Sequence, residues 1–244
     1  MPLTRKRSLC SFGGDAVLIP VYNEVRTVGS VLDSLIERFS GPVIVVDDGS
    51  TDGTAEVLGM RDDVVVLEHH SNQGYGRAVA DGFALAHVRG VERLVTMDCD
   101  GQHEPCRIPL LLAELDASGA DIVSGSRYLP ESRVVGEAPA QRRDVNRRIV
   151  SEINAQTAWG LTDAFCGFKA YCMSSLSRLE FREAGYAMPV ELWARAYRAG
   201  LSVREVPVDR IYLDNDRSFG EDLDDPEKRF AYYMRVWHDA LLEV

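Results

Sequence analysis

The stretch Val43-Ile44-Val45-Val46-Asp47-Asp48-Gly49-Ser50-Thr51-Asp52-Gly53-Thr54 passes directly from four β-branched residues to a run of acids, hydroxyls and glycines. Four such residues are too few for a helix and leave no polar face, which is the pattern of a strand buried on both sides of a parallel sheet. The polar run is turn chemistry at that strand's carboxyl end. Apolar runs of the same kind recur at 16–19, 64–67, 94–97 and 121–123. Between them, helical spacing places Val28, Val31, Leu32, Leu35, Ile36 and Phe39 on one face. The same holds for Val79, Phe83 and Ala86, and for Ile108, Leu111, Leu112 and Leu115. Strand and helix therefore alternate, which predicts an α/β fold: a mostly parallel sheet with helices on both faces.

After Tyr128 the rhythm changes. A polar, irregular loop at 129–139 precedes a basic helical stretch at 141–157 and a helix at 189–199. Strands at 203–206 and 210–213 follow, then an amphipathic helix through Phe230, Tyr233, Trp237 and Leu241. The expected organisation is a flexible leader at 1–14 and one domain at 15–244, with a nucleotide half at 15–128 and an acceptor half at 129–244 joined without a linker. Among 244 residues, 45% are hydrophobic, enough for one sizeable core. Asp and Glu number 38 against 27 Lys and Arg, and the resulting net charge of −11 excludes nucleic acid as a general partner. Five cysteines make no dense disulfide framework, so a reducing, cytoplasmic setting is expected. No run reaches the roughly 20 apolar residues of a membrane span, so a lipid substrate would be met at the membrane surface. Oligomeric state leaves no trace in the sequence.

In open parallel sheets ligands bind beyond the carboxyl ends of the strands, and those positions are unusually polar here. Pro20-Val21-Tyr22-Asn23-Glu24 follows the first run, Asp98-Cys99-Asp100-Gly101-Gln102-His103-Glu104 the fourth, and Gly125-Ser126-Arg127-Tyr128 the fifth. Asp98 and Asp100, separated by one residue on a loop leaving a buried strand, can share a cation that also touches a diphosphate. Hard oxygen ligands of this kind suit Mg2+ or Mn2+. Asp48 can accept hydrogen bonds from a base or ribose, while Ser50 or Thr51 is placed to cap the following helix. Asn72-Gln73-Gly74-Tyr75-Gly76-Arg77 lets backbone approach a ligand closely, although Val79 breaks the dinucleotide fingerprint. Cys99, His103 and Cys106 match no common zinc spacing, and Pro105 opens a helix that carries Cys106 away. Arg142, Arg143, Arg147 and Arg148 crowd an otherwise acidic chain; such a run is a solvated face or, with Arg127, Arg133 or Arg217, a phosphate grip.

Taken in order, IPVYNE at 19–24, VVDDGSTDGT at 45–54, NQGYGRAVADGF at 72–83 and MDCDGQHEP at 97–105 resemble the inverting GT-A glycosyltransferases. GSRY at 125–128, TDAFCGFKAY at 162–171 and Glu191 within MPVELW extend the resemblance to the branch of dolichyl-phosphate mannose synthase and related polyprenyl-phosphate glycosyltransferases. That resemblance implies a Rossmann-like GT-A fold and transfer of a sugar from a GDP- or UDP-sugar with inversion. It implies that Pro20, Tyr22, Glu24 and Asp48 hold base and ribose, with Gly76 or Arg77 near the nucleotide. Asp98 and Asp100 would bind metal and diphosphate, and Gln102 would approach the donor sugar or the metal. Arg127, Arg143 and Arg217 would lie toward an acceptor phosphate, and Asp163 and Glu191 would close the acceptor side. A phosphate acceptor needs no base, whereas a hydroxyl would need Asp163 or Glu191 to take its proton.

The acceptor stays open between polyprenyl phosphate and a small hydroxyl compound. Lipid-phosphate relatives commonly follow Arg-x-x-Gly-Glu with Ser-Lys, whereas Arg217-Ser218-Phe219-Gly220-Glu221 continues into Asp222 and Leu223. A nucleotidyltransferase would normally carry a basic, Gly-rich loop where PVYNE stands. A non-catalytic nucleotide-binding module would not require the paired acids. The loop at 129–139 is expected to close over bound donor.

Overall fold

In the computed structural model, residues 3–4, 11–136, 140–211 and 223–243 are described. The strands are β1 (Leu3–Thr4), β2 (Asp15–Val21), β3 (Val43–Asp47), β4 (Val65–Glu68), β5 (Arg93–Thr96), β6 (Ile122–Ser126), β7 (Val134–Val135), β8 (Lys169–Cys172), β9 (Val203–Pro207) and β10 (Arg210–Ile211). The helices are α1 (Val28–Ile36), α2 (Thr54–Gly59), α3 (Tyr75–Val88), α4 (Ile108–Ser118), α5 (Ala140–Gln156), α6 (Met173–Leu176), α7 (Met188–Arg198) and α8 (Pro226–Leu242).

Eight strands form one sheet in the order β1-β4-β3-β2-β5-β8-β6-β9. The pairs β4/β3, β3/β2, β2/β5 and β6/β9 are parallel, whereas β8 runs antiparallel to both β5 and β6. Within the stretch expected as a leader, Leu3–Thr4 pairs antiparallel with β4 at the sheet edge.

The side-chain period of two sorts each strand between two cores. Leu18, Ile44, Val46 and Leu94 face the layer built by α3, α5, α7 and α8, through Phe83, Ile149, Trp193 and Trp237. Val17, Ile19, Val43, Val45 and Val95 face α1 and α4, through Leu32, Leu35, Ile108 and Leu111. Leu18 and Ile44 are wholly buried, and truncating either to alanine costs about 2–5 kcal/mol. Helix α3 lies close on β2 because Gly82 has no Cβ, which would stand 2.6 Å from Leu18 Cδ2.

Two features depart from the sequence reading. Strand β8, which the apolar runs did not announce, wedges between β5 and β6. The expected strand at 210–213 begins as β10, which leaves the main sheet and pairs in parallel with β7 from the loop at 129–139. No described helix is long and apolar enough to cross a membrane.

Candidate active site

The carboxyl ends of β2, β3, β5 and β6 open onto one cavity of about 510 Å³, a size ordinary for a small-ligand site. Part of its lining is a pair of stitched loops. Asn23, at φ 55°, donates its N–H to Ser50 Oγ (2.9 Å) and accepts from Thr51 N–H through Oδ1 (2.8 Å). Glu24 N–H donates to Thr54 Oγ1 (2.9 Å) and Val25 N–H to Asp52 Oδ2 (3.1 Å). The polar run after β3 thus holds the loop after β2. The expected cap by Ser50 or Thr51 is corrected: Ser50 and Thr51 are turned to Asn23, and Asp52 Oδ1 receives the Thr54 N–H (3.0 Å) at the start of α2.

Asp48 is the hinge pin of the cavity floor. Its Oδ1 accepts from Gln73 N–H (2.9 Å) and lies 2.6 Å from His69 Nδ1, while Oδ2 accepts from Gly74 N–H (2.8 Å). Three partners fix the carboxylate and the loop at 72–74 together, and acceptor capacity remains on Oδ2 for a ligand. Gly49, at φ 73°, makes this possible, because a Cβ there would meet Ser71 Cα at 2.6 Å.

The loop after β5 presents Asp98 and Asp100. Asp98 N–H donates to His103 Nδ1 (3.0 Å), and the His103 ring stacks on Phe168 with centroids 5.1 Å apart. Asp100 Oδ1 accepts from Gln102 N–H (2.9 Å). Asp98 rests against the backbone of Gly167, where a Cβ would lie 2.6 Å from Oδ1. The donor set is therefore two hard carboxylates in a cradle that glycine keeps open, with the His103 nitrogen turned to the backbone. That set fits Mg2+ or Mn2+, which takes few protein oxygens and completes its shell with phosphates and water.

A further part of the lining is cationic. Arg127, Arg142 and Arg229 all line the cavity, together with Asn146 and Tyr233. Arg127 grips the buried Asp163 through Nε (2.7 Å) and Nη2 (3.0 Å). Arg229 on α8 is 4% exposed and donates from Nη1 to Leu223 O (2.7 Å). Burial first, and the nearby Arg142 guanidinium in addition, depress it from its usual value. Beneath this wall Lys169 of β8 is also buried, and burial draws its pKa down; its ammonium donates to Cys166 O and lies 5.2 Å from the Trp193 ring.

Of the residues singled out in the sequence, Pro20, Tyr22, Glu24, Asp48, Asp98, Asp100, Gln102 and Arg127 share this cavity. Gly76, Arg77, Arg143, Asp163 and Glu191 lie outside its lining. Gly76 serves close packing, since a Cβ there would meet Met188 Cβ at 2.7 Å. Arg77 pairs with Asp81 (2.8 Å) on the outer face of α3. Arg143 points to solvent, and the neighbouring Arg142 takes the inward place.

Asp163 is fully buried against Arg127. Burial raises its pKa, but Arg127 outweighs burial and holds the carboxyl below its ordinary 3.8, which suits an ion-pair anchor rather than a base. Glu191 accepts from Arg182 N–H (3.0 Å), Glu183 N–H (2.8 Å) and Arg195 Nη2 (2.6 Å), and so ties the segment before Gly185 and Tyr186 to α7. Arg217 lies outside the described residues, as do residues 137–139 of the expected closing loop. Sequence reading passed over Arg229, Tyr233, Asn146 and Tyr75, which line the cavity, and His69 behind it.

A mostly parallel sheet that gathers Asp98 and Asp100, the stitched loops after β2 and β3 and three arginines around one cavity at its carboxyl edge has the architecture of a GT-A glycosyltransferase. The family described as glycosyl transferase family 2 matches residues 16–180, and the chain belongs to it. The chain is 32% identical over 215 residues to an undecaprenyl-phosphate mannosyltransferase of Micrococcus luteus, covering 84% of each. It is 35% identical over 207 residues to a polyprenol monophosphomannose synthase of Mycolicibacterium smegmatis, covering 79% of this chain and 75% of that one. The fold is shared with glucosyl-3-phosphoglycerate synthase from Mycobacterium tuberculosis, solved with Mn2+, UDP and glucosyl-3-phosphoglycerate, at a TM-score of 0.71 and 21% identity over 93% of this chain and 79% of that one.

Proposed function

We propose that the protein moves a sugar from a nucleotide-diphosphate donor to polyprenyl phosphate, with inversion at the anomeric carbon and with Mg2+ or Mn2+. The observation that carries this reading is one cavity lined both by two carboxylates, Asp98 and Asp100, and by three guanidinium groups, Arg127, Arg142 and Arg229. The acids call for a cation and its diphosphate. The arginines call for a second anion. The two bacterial relatives named for polyprenyl-phosphate mannose transfer support a lipid phosphate as that anion.

On this reading Tyr22, Glu24 and Asp48 hold the nucleoside, and Asp98 and Asp100 hold the cation. When bound, the cation supplies charge neutralisation for the departing nucleoside diphosphate. Arg142 and Arg229 orient the acceptor anion, and Arg127, fixed by Asp163, presents its remaining donors to the same oxygen cluster. A phosphate oxygen is already anionic, so attack on the anomeric carbon needs no proton acceptor from the protein. The removal of Asp163 and Glu191 from the cavity agrees with an anionic acceptor better than with a hydroxyl.

The test is a panel of GDP- and UDP-sugars incubated with polyprenyl phosphate or soluble hydroxyl acceptors, with Mn2+ or EDTA. Expected is a lipid-linked sugar that forms only with metal and has the anomeric configuration opposite to the donor by NMR. Transfer to hydroxyl compounds alone would replace the acceptor assignment, and transfer in EDTA would remove the metal.

A further inference from the structure

From Asp48 on the cavity floor, a line of alternating acids and bases runs back through three side chains that the proposed chemistry leaves unused. Asp48 Oδ1 lies 2.6 Å from His69 Nδ1, His69 Nε2 lies 3.1 Å from Asp81 Oδ2, and Asp81 Oδ2 accepts from Arg77 Nε (2.8 Å). The His69 side chain has no exposed surface, whereas Arg77 reaches solvent on α3. An ionised carboxylate only accepts, and Asp48 already takes the N–H groups of Gln73 and Gly74, so in its contact with His69 the ring Nδ1 is the donor. The other nitrogen lies against Asp81, so a carboxylate stands at each end of the imidazole and holds the plane of its ring.

We propose that His69 is a positioning residue of the nucleotide site: it sets the Asp48 carboxylate, and through it the loop at 72–74, in the orientation that receives the nucleoside. The inference rests on the reading of the cavity as a nucleotide site. Asp48 stands at the end of β3 with its free acceptor capacity on Oδ2, so rotation of the carboxylate about its Cβ–Cγ bond moves the ligand-facing oxygen and two backbone N–H groups at once. The His69 hydrogen bond to Oδ1 opposes that rotation. Without it, the cavity keeps its acids and arginines but loses the angle at which the nucleoside is met. His69 therefore acts on donor affinity, not on the transfer step.

Two substitutions separate the ends of the imidazole. The amide nitrogen of His69→Asn falls near the place of Nδ1 and preserves donation to Asp48, whereas that of His69→Gln falls near Nε2 and preserves only the link to Asp81. Binding of GDP and UDP with Mn2+ is measured by calorimetry for wild type and both variants, alongside donor KM and kcat and the melting temperature without ligand. Expected is a 10- to 50-fold weaker nucleoside diphosphate and a matching rise in donor KM for His69→Gln, with kcat at saturating donor within threefold, and near-wild-type affinity for His69→Asn. Equal affinity in all three proteins overturns the proposal, and so does equal loss in both variants, which is the mark of a packing role. Failure of wild type to bind either nucleotide removes the nucleotide-site reading itself and this inference with it.

Discussion

Gly167→Ala reaches the proposed cation ligand without altering any acidic group. A Cβ at residue 167 would stand 2.6 Å from Asp98 Oδ1 and 2.7 Å from Cγ, and nearer still to Oδ2, where ordinary contact begins at 3.4 Å. The carboxylate must retreat by roughly 1 Å, and a displacement of that size at a reacting centre costs on the order of 10²-fold in rate, about 2.7 kcal/mol in the barrier. The atoms that give way are the end of a side chain rather than backbone, so the fold survives with an overpacking cost of about 1–3 kcal/mol. Sugar transfer and Mn2+-dependent thermal protection are measured for Gly167→Ala, Asp98→Ala and the double variant. In the Asp98→Ala background the added methyl meets no carboxylate, so its stability cost is expected to vanish, giving a coupling of roughly 1–3 kcal/mol between the two sites. Wild-type turnover in Gly167→Ala, or an undiminished melting penalty in the double variant, refutes the argument that glycine is there to make room for Asp98.

Asp100→Ala should abolish the metal-dependent gain from nucleoside diphosphate. At 100 times Kd that gain is about 2.7 kcal/mol, roughly 5–10 °C in melting temperature for a chain of this size, and equal protection of variant and wild type would sink the assignment. Arg142→Ala should raise the acceptor KM about 10- to 100-fold through a lost charge-assisted hydrogen bond, while Arg143→Ala leaves it within twofold; the reverse ranking in a steady-state assay would contradict the placement of α5. Asp163→Asn should destabilise the protein by about 3 kcal/mol at neutral pH, because Arg127 loses its buried partner. Since Arg127 holds Asp163 below its ordinary 3.8, the contribution is whole above that pH and is lost as pH falls through the depressed value, so denaturant melts of wild type and variant should converge only in strong acid.

Strands β2 to β6 were legible because each carries a short apolar run closed by turn residues, and the place of Asp98 and Asp100 on the cavity followed from their position after one of those runs. Strand β8 was not, since Lys169-Ala170-Tyr171-Cys172 mixes a cation with aromatic and small residues and owes its burial to β5 and β6 on either side. Of the arginines on α5, Arg142 and not Arg143 lines the cavity. Val145 and Ile149 set the inward face, and Arg142 stands three and seven residues before them, which is the phase that would have selected it over Arg143. Asp163 and Glu191 read as reactive because sequence shows an acid but not the guanidinium or backbone N–H groups that engage it. Arg229 and His69 gave no signal, as one sits in an ordinary amphipathic helix and the other at the tail of a strand.

The wedge of β8 bears on how such a chain can be divided. Its pairing partners β5 and β6 both precede residue 128, so a fragment ending there would bare one edge of β5, leave β6 without β8 or β9, and open a gap where Phe168 and Ala170 fill the core. Segments before and after residue 128 are thereby interlocked like fingers and should melt in one cooperative step. Chimaeras that exchange acceptor specificity have to carry β8 across with its own neighbours, and a crossover at the loop after β6 would leave the sheet unfinished.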